Sequence, residues 1–218
     1  MEVGETVPPC GIASVGRYLR TALALPGPDR VLLRRPEMLA DSVSMMRAAA
    51  VLVGITEAEE PGIILTLRAA GLSHHAGQVS FPGGRIDPGD ASPEHAALRE
   101  AREEVGLLAE DVHILGRLDP VLTGTGFVVT PVVGLVRPDW VVSIAPAEVA
   151  AVFELQLRVL LDPDAPRQDW LEVRGMRHQS WVWPHEQHVI WGATATILME
   201  LSLRLRQAEA HLASEPGF

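Results

Sequence analysis

Three glutamates, Glu100, Glu103 and Glu104, crowd into one part of the segment FPGGRIDPGDASPEHAALREAREEVGL, residues 81–107. On a helix they fall within an arc of ~100°, at 100° per residue. Like charges so placed repel by roughly a few tenths of a kcal/mol per pair. A divalent cation reverses the sign of that interaction. Hard cations such as Mg²⁺ or Mn²⁺ take oxygen ligands and commonly bridge to substrate phosphates. The alternative is a solvated acidic face partly paired with Arg99 and Arg102, the ordinary fate of a charge run. The turn ahead bears on the choice, because Gly83 and Gly84 let backbone approach closely, and a carbonyl there could join the carboxylates around a metal.

The glutamates need a helix to align them, and its limits are written locally. Ser92 can cap free backbone N–H groups, Pro93 suits the first helical position, and Gly106 is a natural stop. Leu98, Ala101 and Val105 then share a face for the core. Around this helix the chain alternates between strand and helix patterns. Residues 48–56 and 62–69 are apolar and rich in β-branched side chains, and the polar EAEEPG between them reads as a connection. HILGRLDPVLT (113–123) and FVVTPVVGLV (127–136) predict further strands, the second with an edge or a bulge at Pro131. Residues 145–161 have helical or mixed spacing, QSWVWP (179–184) alternates like a strand, and 194–212 predict an amphipathic helix. The fold class expected is α/β, a helix, sheet, helix sandwich around a mixed sheet. One domain is expected: a helical or irregular lead-in over 1–45, a body over 46–213 and a tail over 214–218.

Composition narrows the chemistry. A formal charge of −10 over 218 residues opposes generic binding to nucleic acid, whose phosphates it repels. An anionic substrate must therefore meet its cations locally, as a metal ion or a few arginines. No apolar stretch reaches the roughly 18 residues of a membrane span, and the first residues do not resemble a secretory signal. The lone Cys10 rules out a disulfide within the chain and fits a reducing cytoplasm.

The same segment resembles the Nudix hydrolase signature: G, five residues, E, seven residues, R-E-U-x-E-E-x-G-U, with U a bulky aliphatic. Gly84 opens it, and Arg99, Glu100, Glu103, Glu104, Gly106 and Leu107 fill its second half. Asp90 replaces the first glutamate, eight residues separate it from Arg99, and Ala101 is smaller than usual. The extra residue precedes the glutamates, whose mutual spacing is kept. Upstream, ILTLRAAGLSHHAGQVSFPGG (64–84) is similar to the second motif of the coenzyme A pyrophosphatase branch. Leu65, Thr66, Arg68, Ala69, Leu72, His75, Gly77, Val79, Phe81, Pro82, Gly83 and Gly84 match it, and Ser73 stands where the branch has arginine. The likeness covers roughly residues 48 to 205.

That resemblance implies an α/β/α Nudix sandwich and metal-dependent hydrolysis of a diphosphate, splitting coenzyme A or its thioesters into 3′,5′-ADP and (acyl-)4′-phosphopantetheine. Another nucleoside diphosphate derivative, such as NADH or ADP-ribose, is the alternative substrate, and a non-catalytic nucleotide-binding module the alternative class. The implied metal set is Glu100, Glu103 and Glu104 with the Gly84 carbonyl, holding Mg²⁺ or Mn²⁺. Arg99 would orient a carboxylate. The general base would be one of the helix glutamates or Glu148. Arg68, Ser73, His75 and Arg85 are the candidate substrate contacts. His75 equally fits a role in shaping its loop, as Trp181, Trp183 and Trp191 fit either the core or a stacked adenine. The C-terminal helix either packs on the sheet or pairs with a second copy in a homodimer.

Overall fold

The structure, a computed structural model, describes residues 12–28, 46–71, 76–173 and 175–214. Its spine is a parallel pair, β1 (Arg47–Thr56) and β7 (Phe127–Val136), in register from Arg47 opposite Phe127 to Thr56 opposite Val136. Both strands are buried on both faces, so both read as nearly unbroken apolar runs rather than alternating ones. Antiparallel neighbours extend the sheet. β2 (Gly62–Arg68) lies beside β1 and is followed outward by β3 (Val79–Ser80), β4 (Gly83–Arg85) also pairs β1, and β5 (Val112–Arg117) and β6 (Val121–Leu122) pair β7. β8 (Val149–Gln156) pairs β2. A second sheet joins β9 (Arg167–Val173), β10 (Met176–Trp183) and β11 (Ile190–Trp191).

Helices cover both faces of the large sheet. On one, α1 (Ile12–Ala24) and α3 (Gly192–Ser214) bury Val15, Leu19, Ile197, Leu201 and Leu205 against Val53, Ile55, Leu65 and Val133. On the other, α2 (Pro93–Val105) lays Ala97, Ala101 and Val105 on Ala50, Leu52, Ile64 and Val132. The molecule is thus an α/β/α sandwich, with α3 packed on the sheet. Trp183 is buried and donates from Nε1 to Ala195 O at 3.0 Å, a core role.

Four local expectations change. Residues 145–161 form strand β8 and a short 3₁₀ turn (Leu157–Leu160), not a helix, because the open edge of β2 pairs with them from Gly62 to Arg68. Residues 113–123 split into β5 and β6. Pro131 sits in a central strand, not at an edge. Leu118 N donates to Pro131 O at 3.0 Å, and the proline's missing donor faces that same break between β5 and β6. Leu98 is only half-buried, and the small Ala97 takes its place in the core.

One polar cluster lies inside the α1–α3 layer. Glu200 is fully buried and accepts from Asp119 N at 2.9 Å and from Arg204 Nε at 3.1 Å, while Arg204 Nη1 donates to Leu25 O at 3.0 Å. This ties α3 to the end of α1 and to the β5–β6 link. Arg204→Met strands a buried carboxylate and is expected to destabilise the fold by ~3 kcal/mol in urea unfolding, with Glu200→Leu/Arg204→Leu recovering at least half of that loss.

Candidate functional site

Helix α2 is held at both ends by its own sequence. Ser92, with extended backbone, accepts from His95 N at 3.3 Å, Pro93 follows at the start, and Gly106 closes the helix at φ 77°. Gly106 N donates to Arg102 O at 3.1 Å and Leu107 N to Ala101 O at 3.3 Å. A Cβ on Gly106 would also stand 2.7 Å from the Ser143 Cβ, because the loop that leads to β8 crosses here. That loop is bonded to the helix end through Ser143 N to Val105 O and Ala145 N to Glu104 O, each 2.9 Å.

The three glutamates face the same rim of the sheet at different depths. Side-chain exposure is 59% for Glu103, 16% for Glu100 and 3% for Glu104. Glu100 presses on β4: a Cβ on Gly84 would lie 2.5 Å from the Glu100 carboxyl carbon, so a side chain there would displace the Glu100 carboxylate. Glu104 reaches further in, where its Oε2 accepts from Gly83 N at 3.1 Å and its Oε1 stands 3.5 Å from Arg68 Nη1. Burial pushes the Glu104 carboxyl up to about 7, against the opposing pull of Gly83 N–H and Arg68. Burial raises Glu100 as well, against Arg99. The charges of Glu103 and Glu148 add to the rise at Glu100, and those of Glu100 and Glu148 to that at Glu104.

Arg99 organises the rim. Its Nε and Nη2 fork onto Asp90 at 3.1 and 3.0 Å, Nη1 donates to Glu100 at 2.9 Å and Glu103 at 3.3 Å, and Nη2 also reaches Arg85 O at 3.0 Å. Asp90 further accepts from Asp87 N at 2.8 Å and contacts the His95 ring at 2.9 Å, and these bonds, Arg99 foremost, hold its carboxyl well below the usual range. Asp90 is therefore the anchor of Arg99, a role that the sequence left undefined. A visible hint was its place two residues ahead of the helix cap.

Glu148 is exposed just before β8, and its carbonyl accepts from Ala69 N at 2.8 Å, which sets it beside the end of β2. The structure thus brings Arg68, Gly84, Arg99, Glu100, Glu103, Glu104 and Glu148 to one rim. Arg85 turns elsewhere, with its guanidinium 5.8 Å from the Phe127 ring centroid, over which Arg47 also lies at 4.2 Å. Ser73 and His75 lie outside the described residues. The pairing of Arg68 with Glu104 was not foreseen, since nothing in the sequence marks it. A separate cavity of about 400 Å³, lined by Arg167, Trp183, His185 and His188, lies apart from these carboxylates: Phe153, whose ring meets both histidines at a tilt, packs with the α1–α3 core.

The donors are all hard oxygens, the set that a small divalent cation takes. Among the described residues, no three histidine, cysteine, aspartate or glutamate side chains converge on a single point, because Glu103 leans to Arg99. Two of the three carboxylates nevertheless sit at the rim with raised affinity for positive charge, a state that a cation relieves as well as a proton does.

The NUDIX domain family matches residues 45–191. An uncharacterized Nudix hydrolase NudL from Cronobacter sakazakii is 46% identical over 177 residues, 81% of this chain and 92% of its own. A protein of the same name from an Enterobacter species is 44% identical over equal shares. Among solved structures, an Ap4A hydrolase of Caenorhabditis elegans shares 18% identity over 77% of this chain and 99% of its own, with a TM-score of 0.47.

The buried carboxylate makes stability depend on pH. Glu104 binds a proton up to about 7 when folded but only to about 4.5 when unfolded. Stability is full below the lower value and falls as pH rises through the upper one, by up to ~3 kcal/mol. In EDTA, urea unfolding should show that decline between pH 5 and 8, and Glu104→Gln should flatten it and leave the variant the more stable at pH 8.

Proposed function

Because this chain belongs to the Nudix hydrolase family, and is thereby a pyrophosphohydrolase acting on phosphorus-containing anhydrides, we propose that its substrate is coenzyme A or one of its thioesters, cleaved at the diphosphate to 3′,5′-ADP and (acyl-)4′-phosphopantetheine. The observation that carries this reading is the continuity of residues 64–84 with the carboxylate helix. Gly83, from the segment similar to the coenzyme A branch, donates directly to Glu104, from the hydrolase signature. The active molecule would work in the cytoplasm, alone or as a homodimer.

Glu100, Glu103 and Glu104, with the Gly84 carbonyl, would hold Mg²⁺ or Mn²⁺. When bound, such a cation neutralises diphosphate charge and lowers the pKa of an attacking water. The chain's own groups do the rest. Arg99, braced by Asp90, keeps Glu100 and Glu103 in place. His75 supplies positive charge or a hydrogen bond to the phosphates. Glu148 accepts the proton of the attacking water, since it is open to solvent while Glu104 is buried and Glu100 and Glu103 are engaged by Arg99.

A panel of coenzyme A, dephospho-coenzyme A, ADP-ribose and NADH with product identification tests the substrate. Coenzyme A should be cleaved to 3′,5′-ADP with Mg²⁺ or Mn²⁺ and not in EDTA, and Glu103→Gln or Glu104→Gln should lower activity by at least ~10²-fold. Turnover of ADP-ribose or NADH with coenzyme A inert would reject the substrate and keep the chemistry. Failure on every compound would favour a binding module.

Ser73 adds a finer arm to the panel. A guanidinium matches phosphate in charge and geometry, and serine offers one neutral hydroxyl. The native protein should therefore separate coenzyme A from dephospho-coenzyme A weakly, and Ser73→Arg should sharpen the kcat/KM ratio by roughly 10-fold or more. A native ratio already above ~100 that the substitution leaves unchanged would place the 3′-phosphate contact elsewhere.

A further inference from the structure

Strand β2 ends on Arg68, opposite an irregularity in β8. Its register against β8 shifts between Leu67, opposite Ala151, and Arg68, opposite Val149. The extra residue is Ala150 of β8, so the bulge lies in the strand beside Arg68 while β2 itself runs on without a gap. The backbone of Arg68 is fixed on the other edge, with its N donating to Gln78 O at 3.0 Å and its O accepting from Gly77 N at 3.1 Å. From this base the guanidinium crosses to α2 and meets Glu104 Oε1 at 3.5 Å. Its Nε is buried without a hydrogen-bond partner among the described residues.

A cation meant to grip a substrate phosphate would present its fork to solvent, and Arg68 instead points Nη1 at a carboxylate that is 3% exposed. The Glu104 carboxylate is then hydrogen-bonded at Oε2 by Gly83 N and ion-paired at Oε1 with Arg68, which biases its orientation. A carboxylate has about four acceptor positions, so the two oxygens keep free lone pairs.

We propose that Arg68 is a positioning residue that acts through Glu104, setting the orientation in which this buried carboxylate offers its remaining lone pairs to a divalent cation. The inference rests on the cation-dependent reading above and changes the role of Arg68 from substrate contact to support of a ligand. Loss of the guanidinium leaves Glu104 tethered by one oxygen, free to turn, and without its counter-charge.

The test is the Mn²⁺ affinity of the substrate-free protein, read by electron paramagnetic resonance, for the wild type, Arg68→Met and Arg68→Lys, each with Glu104 native or changed to Gln. Steady-state kinetics on the cleaved anhydride accompany it. Arg68→Met should weaken Mn²⁺ binding by ~10-fold or more, the usual effect of removing a partner that orients a metal ligand. Arg68→Lys should restore most of it. In the Glu104→Gln background Arg68→Met should change the affinity by less than ~2-fold, because the group it acts through is already altered. The kcat should fall more than KM rises. Unchanged Mn²⁺ affinity with a raised KM would overturn the proposal and return Arg68 to direct substrate contact, as would an undiminished loss in the Glu104→Gln background. A protein that follows the expected Mn²⁺ pattern yet cleaves no diphosphate would refute the proposed function and leave this inference standing.

Discussion

The close seating of α2 on the glycine pair of β4 is the constraint from which the site follows. The helix must give alanines to the sheet and carboxylates to its rim within thirteen residues, and the two demands point to adjacent sides. Ala97 and Ala101 are small enough to bring the helix axis near the sheet. That approach carries Glu100 against Gly84 and lets Glu104 reach Gly83 N–H, where a side chain on either glycine would collide with the carboxylate or with β1. A larger residue at 101 would lift the helix and draw both carboxylates off the backbone. The departure of Ala101 from a bulky aliphatic is therefore matched to the seating.

Charge is managed by the same geometry. A chain with a net charge of −10 places acidic groups at this rim and then spends two arginines on them, from different elements. Arg99, on the helix, ties the more exposed glutamates to Asp90. Arg68, from β2, meets the buried one. The division follows depth. The Arg99 pair with Glu103 is exposed and contributes little in water, whereas the pairs at Asp90 and Glu104, whose carboxylates are 2% and 3% exposed, each oppose a desolvation cost. What remains uncompensated raises Glu100 and Glu104, and that residual demand for positive charge is the feature a cation would satisfy.

Legibility in the sequence tracked how local each cause was. The caps of α2 needed only Ser92, Pro93 and Gly106, and they lie where expected. β1, β2 and β7 were plain because strands covered on both faces are written as continuous apolar runs. Residues 145–161 were ambiguous, since AAVFELQL suits either period, and the open edge of β2 decided the matter from outside the segment. Pro131 misled for a related reason. A proline is excluded from a central strand only where a partner needs its donor, and here the partner strand breaks opposite it. In the site, the carboxylate helix was readable from spacing, and the role of Arg99 from the resemblance. The Arg68 contact was not, because it joins the end of β2 to α2, two elements that meet only in the folded chain.

Asp90 shows how an insertion can be absorbed without moving the chemistry. Its side chain is fixed by Asp87 N–H on the turn side and by His95 and Arg99 on the helix side, so it spans the junction where the extra residue enters. The helix start is set independently by Ser92 and Pro93, and the glutamates count from that start. A turn one residue longer therefore alters how the chain arrives and not where Glu100, Glu103 and Glu104 stand. The shorter aspartate suits the longer path: from the turn it meets the guanidinium with both oxygens, while Arg99 keeps Nη1 for Glu100 and Glu103. Residue choice at 90 and loop length are thus coupled through one bidentate pair, and the geometry of the rim is what that pair preserves.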